Sequence, residues 1–139
     1  MTDATFNQIN QQKVIEEDVS FEAFLERYEG QAAEWHVGKV VQKLSNNDRH
    51  QAIQMFLAFM LGYFLGVKKS GKIYQDGYQM QLNDNLPARQ PDLLVVLNAN
   101  KDRIKHQYLD GAADLVVEII SPAIGHIDRG EKYYQYQFL

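Results

Sequence analysis

The sequence predicts an α/β domain, and three observations carry that expectation. Leu93–Leu97 and Leu115–Ile120 are continuous apolar runs, the pattern of strands covered on both faces in the middle of a sheet. From Asp48 to about Gly66, the residues Ile53, Phe56, Leu57, Met60, Leu61, Phe64 and Leu65 recur at steps of three and four, which marks a long helix. Apolar residues make up 45% of the 139-residue chain, enough for one core and too many for a disordered chain. One domain is expected over residues 20–139, behind a polar tail over residues 1–19 that reads as mobile or as a loose edge segment.

The elements follow in order. Ser20 is a good N-cap for a short helix carrying Phe21, Phe24, Leu25 and Tyr28 on one face. Glu22 in the first turn suits the helix dipole, and Gly30 ends the helix. Ala33 to His36 and Lys39 to Leu44 flank Gly38 as a tight hairpin. Ser45-Asn46-Asn47-Asp48 is a turn and cap cluster before the long helix. The other face of that helix carries Met55, Phe59 and Tyr63, so it is expected to be covered on much of its surface. Its apolar core, Met55 to Val67, is about 13 residues, short of the roughly 18 that a membrane span needs, and reads as a buried helix. Lys68 to Lys72 is a basic turn. Ile73 to Leu82 is a strand open to a break at Asp76-Gly77. Asn98 to Ala113 is polar, with room for a short strand near Asp102 to Lys105. Ile127 to Leu139 is expected to form a final helix.

Charge and cysteine content bound the function. With 14 basic and 18 acidic residues the net charge is −4, which counts against a surface that coats nucleic acid without specificity. It leaves room for an enzyme that meets DNA through a local basic rim. There are no cysteines, so disulfides, thiolate nucleophiles and Cys-type zinc sites are excluded. A reducing, cytoplasmic setting is expected, and the polar stretch Met1 to Gln12 carries no signal-peptide core.

Two carboxylates stand out by position. Asp92 follows Pro91 at the start of one apolar strand, and Glu118 lies within the other. A carboxylate in a buried strand is costly unless it is paired or coordinates a cation. If the two strands are neighbours, both side chains reach one point, and hard oxygen ligands there suit Mg²⁺ or Mn²⁺. The competing readings are a structural carboxylate paired with Lys or Arg for Glu118, and a loop residue capping the turn for Asp92.

Gln90–Val96, Gly111–Pro122 and Asp128–Lys132, with Tyr136 following, resemble in order a bacterial restriction-endonuclease-like family, formerly a domain of unknown function, of the PD-(D/E)XK nuclease superfamily. Ala33–Val41 is similar to the family's hairpin, and His50 stands where the family often opens its long helix with His. The resemblance spans roughly residues 20 to 136. It implies a central mixed sheet flanked by helices, with Asp92, Glu118 and Glu34 as catalytic and metal-binding acids for Mg²⁺ or Mn²⁺. The superfamily's lysine two residues after the Glu is replaced by Ile120. The resemblance places that amine on the following helix, at Lys132, which otherwise reads as a partner of Asp128 one helical turn away. Asp128 and Arg129 read as caps or as groups orienting Lys132, Tyr136 as packing, and His50 as structural. Lys68, Lys69, Lys72 and Arg89 are candidates for holding backbone phosphates.

The family pattern continues past the position of Tyr136 with a further strand, whereas this chain stops at Leu139. The resemblance therefore implies a shortened domain, or a sheet completed by a partner chain, and a homodimer is expected. The function it implies is metal-dependent cleavage of DNA phosphodiesters, with no membrane partner. A catalytically inactive relative that binds nucleic acid or oligomerises, and a purely structural domain, stay as alternatives.

Overall fold

The computed structural model describes residues 13–43, 47–120 and 135–136. Helix α1 (Phe21–Arg27) starts where the sequence places it: the Ser20 side chain accepts from the Ala23 N–H at 3.1 Å, with Glu22 in the first turn. The hairpin is also as expected. Strands β2 (Ala33–His36) and β3 (Lys39–Gln42) pair antiparallel around the two-residue turn Val37-Gly38. Of the two readings of the N-terminal stretch, the edge segment fits residues 14–16: Val14–Glu16 forms a strand, β1, pairing with β3 to give the order β1-β3-β2. α1 covers this sheet through Val19, Phe24, Ala33, Trp35, Val40 and Ala88, and the buried Trp35 indole donates to the Val19 carbonyl at 2.8 Å.

Helix α2 (Asp48–Lys68) is capped by Asn47, whose side chain accepts from the His50 N–H at 2.8 Å. It packs on β4 (Gly71–Gln75), the first strand of a second antiparallel sheet with order β4-β6-β8, where β6 is Leu93–Leu97 and β8 is Leu115–Val117. The strand expected over Ile73 to Leu82 does break at Asp76-Gly77, and β5 (Gln79–Gln81) leaves to pair parallel with β7 (Tyr108–Asp110). Bridges Trp35↔Ala88 and Met80↔Arg89 tie the two-stranded sheet to the hairpin. The strands thus form three small sheets rather than one continuous sheet. A second core, built on Met80, Leu94, Val96 and Leu109, lies between β5-β7 and one face of β4-β6-β8.

Several expectations are corrected. Asp102 to Lys105 is not a strand: Asn98–Arg103 is a 3-10 helix, and the strand comes later, at β7. β6 is buried through Val96, but β8 pairs only with β6 among the described residues and stays half-exposed, so the second apolar run is not covered on both faces as expected. The largest departure concerns α2. Only His50, Gln54 and Leu65 are buried on it, while Phe59 and Tyr63 are 69% and 68% exposed. By length and apolarity it could cross a membrane, yet its inner face is bonded to the domain. The final helix expected over Ile127 to Leu139 lies outside the described residues except at Gln135-Tyr136, which are helical.

Candidate active site

β6 and β8 are antiparallel neighbours with Leu93 opposite Val117. Continued by one residue, that register sets Asp92 across from Glu118, which stands just past the end of β8 rather than within it. The ends of the two strands are joined by Asp92 itself, whose Oδ2 accepts from the Ile119 N–H at 2.7 Å. Asp92 is buried, so its charge needs partners. Oδ2 also meets His50 Nε2 at 3.1 Å, and Oδ1 lies 3.4 Å from the Lys43 ammonium. The Nδ1 atom of His50 is buried without a hydrogen-bond partner among the described residues. The tautomer that donates from Nε2 satisfies that arrangement, because an Nδ1–H would have no acceptor among the described residues.

Lys43 was not among the sequence candidates. Its ammonium donates to Asp76 Oδ1 and, at 2.7 Å, to the Gln90 carbonyl, besides facing Asp92. Three oxygens from two segments of chain, Asp76 and Gln90–Asp92, therefore surround one cation. Burial works to lower the Lys43 pKa, but the Asp92 and Asp76 charges, the Asp76 hydrogen bond and the Glu34 charge together leave it raised above its ordinary value. From α2, Gln54 locks the cluster by donating to Asp76 Oδ2 at 3.0 Å and to the Asp92 carbonyl at 2.9 Å.

Glu34 sits on β2, buried, and the rest of the arrangement turns on it. Oε1 accepts from the Gln90 N–H at 3.0 Å, and Oε2 pairs with Arg89 at 3.2 Å. His36 Nε2 lies 3.3 Å from Glu34 and 3.2 Å from Arg89. A guanidinium only donates, so this nitrogen either accepts from Arg89 or donates to Glu34. Gln90 links the acids through its backbone: its N–H binds Glu34 and its carbonyl binds the lysine that faces Asp92. Glu118 accepts from the Tyr136 hydroxyl at 2.8 Å. The Tyr136 phenol pKa is pushed up first by burial, then by the Glu118 charge and hydrogen bond, with Glu34 adding to the effect and Arg89 opposing it. Glu34 thus acts electrostatically both on the cation facing Asp92 and on the phenol bonded to Glu118.

The structure places the sequence candidates as follows. Glu34, Asp92 and Glu118 belong to one linked set of hydrogen bonds and charges, although among the described residues no three His, Asp or Glu side chains group closely enough to hold a metal by themselves. Lys132, Asp128 and Arg129 lie outside the described residues. His50, read as structural, is buried against Asp92. Tyr136 packs against the second core, as expected, and also binds Glu118. Arg89 is corrected: at 0% exposure, with Nε donating to Gln135 at 2.8 Å, it is a buried strut and not a surface contact for phosphates. Lys68, Lys69 and Lys72 are exposed. Asp76 also lines an open cavity of ≈ 370 Å³ with Phe24, Tyr28, Tyr74 and Tyr78.

A restriction-endonuclease-like α/β fold with a buried and a half-buried carboxylate, Asp92 and Glu118, at the ends of paired strands defines a class, that of nuclease-fold proteins. Comparison with known proteins agrees. Residues 20–139 match the model of the family Uma2, described as "Putative restriction endonuclease", and the chain belongs to that family. Its fold is similar to the crystal structure of a "putative nuclease belonging to DUF820" from Anabaena variabilis ATCC 29413. The TM-score is 0.66 at 20% identity, covering 85% of this chain and 67% of that one. No curated protein sequence matches the chain.

Proposed function

We propose that the chain is a metal-dependent endonuclease that hydrolyses phosphodiester bonds in DNA. The observation that carries the reading is the β6–β8 register, which sets Asp92 against Glu118 at the joined ends of two strands. Family membership supplies the nuclease class. The donor chemistry fits a divalent ion, because Mg²⁺ and Mn²⁺ take hard oxygens, keep several waters and bind through only one or two carboxylates. Asp92 and Glu118 would hold the ion, with Glu34 beside them. Asp92 Oδ1, whose contact with Lys43 is a long 3.4 Å, is the oxygen best placed to exchange that cation for another. When bound, the ion supplies an acidified water and charge compensation on the phosphate.

The remaining work falls to this chain's own groups. Ile119 N–H, His50 and Gln54 fix Asp92 so that no rearrangement of the acid is needed. Arg89 holds Glu34 rigid and balances its charge. Tyr136 orients Glu118 through a hydroxyl that stays protonated at neutral pH. Lys43 keeps a positive charge beside the acids, where it offsets repulsion between them and an incoming phosphate. Lys132 is proposed as the amine that steadies developing negative charge. Lys68, Lys69 and Lys72 are proposed as backbone-phosphate contacts.

A second reading is favoured by one observation. Each oxygen of Asp92 already meets a protein donor, as in a nuclease fold that has kept its scaffold and lost turnover. The two readings part in a cleavage assay on plasmid and linear DNA with Mg²⁺ or Mn²⁺, comparing the wild type with Asp92→Asn and Glu118→Gln. The enzyme reading expects cleavage by the wild type that falls at least about a hundredfold in each variant. Inert wild-type protein with both metals, still binding DNA, would favour the inactive relative. Asp92→Ala is the poorer probe, because it strips partners from Lys43, His50 and the Ile119 N–H together.

A further inference from the structure

We infer that the outer face of α2 is the docking surface for a second copy of this chain, packed antiparallel along the helix. This is independent of the nuclease reading. Phe56, Phe59, Met60, Tyr63, Phe64 and Val67 are all more than half exposed, and at 100° per residue they share one side of the helix. From Ala52 to Val67 there is no charged residue. A helix apolar all round is expected to be covered on every side, yet the described residues bury it only on the side carrying His50, Gln54 and Leu65.

Area identifies the kind of occupant. The four aromatic rings, about two-thirds exposed, offer on the order of 500 Å². With Met60 and Val67 the face comes to about 700 Å², near the roughly 800 Å² per partner of a stable interface. Spacing narrows it further. Ile53, Phe56, Met60, Tyr63 and Val67 follow one another at steps of 3, 4, 3 and 4 residues, the seam along which one helix packs lengthwise on another. Charge sets the direction. A parallel pair would bring Lys68 and Lys69 of both copies together, whereas an antiparallel pair keeps them apart, sets them against an end where Asp48 and Arg49 cancel, and opposes the helix dipoles.

A lipid occupant fits less well. α2 cannot span a bilayer without breaking the bonds of Gln54 to Asp76 and to the Asp92 carbonyl, and a net charge of −4 opposes an anionic surface.

The test uses the full chain in sedimentation velocity over a concentration series, and single-cysteine variants, which report cleanly because the chain has no cysteine. The wild type is expected to dimerise, and Phe56→Glu to weaken the dimer at least about tenfold with its helical circular dichroism intact. Under mild oxidation Met60→Cys is expected to cross-link to itself. Ile53→Cys should form a disulfide with Val67→Cys in a mixture, and neither should with itself. A wild type that stays monomeric at every concentration overturns the inference. So does a dimer unaffected by Phe56→Glu with no cross-link at Met60→Cys, or self-cross-linking at positions 53 and 67. Flotation of a monomer with phosphatidylcholine vesicles, lost in Phe56→Glu, would assign the face to lipid instead.

Discussion

Val37 has φ +44°, in the left-handed region that β-branched residues avoid, because the two-residue hairpin it shares with Gly38 needs positive φ at both positions. Its side chain is half-exposed, so packing does not repay the strain. Val37→Asn is expected to stabilise the protein by about 1 kcal/mol, seen as a higher urea midpoint at unchanged m-value. Lys43 lies at the opposite extreme. Removing one partner of a buried ion pair costs about 3–5 kcal/mol, and Lys43→Met should lose that much at neutral pH by urea denaturation. The loss has a pH signature. The folded pKa of Lys43 is raised above 10.5, so the unfolded chain gives up its proton first; the stabilisation is complete below that value and drains as pH rises through the folded one. Tyr136, raised above 10.0, acts in the same direction. The wild-type urea midpoint is therefore expected to fall from about pH 10 upward, and less steeply in Lys43→Met. Lys43 was legible in part. Glu34 pairs with Val41, so alternation puts residue 43 on the same face of the hairpin as Glu34. What local pattern could not supply was its contact with Asp92, 49 residues along the chain.

Among the elements, the β4–β6 pairing is the most tightly specified. A Cβ on Gly71 would come within 2.5 Å of the Val96 carbonyl oxygen, a backbone atom that cannot swing away. Gly71→Ala is expected to cost about 1–3 kcal/mol by thermal or urea unfolding, although the backbone there needs no positive φ. Elements with strong local signals were readable in advance: the Ser20 cap, the hairpin around Gly38 and the break at Asp76-Gly77. Those fixed by distant pairing were not. β1 exists because it finds β3, and β7 because β5 leaves its first sheet to meet it, and the apolar pairs Val14-Ile15 and Tyr108-Leu109 are too short to announce either strand. Burial of α2 was misjudged for a different reason. Apolarity marks surface that favours leaving water, but not whether the same domain or another body covers it.

At the scale of the whole molecule, the site is assembled by topology. Glu34 lies on β2 of one sheet, and Asp92 and Glu118 flank β6 and β8 of another, joined through Gln90, Lys43, Arg89 and Tyr136. The sequence showed which acids were costly to bury, and the family resemblance grouped them. It did not show that every one is already held by a donor from elsewhere in the chain, since that depends on the packing of α2 and of Gln135-Tyr136. The central claim is that Asp92 and Glu118 jointly offer one divalent cation a place to bind. A Mn²⁺ titration followed by electron paramagnetic resonance tests it most directly, on wild type, Asp92→Asn and Glu118→Gln with folding verified by thermal melting. One bound Mn²⁺ per wild-type chain, weakened at least about tenfold by either substitution alone, is the predicted result. Binding of the same strength in both variants would contradict it.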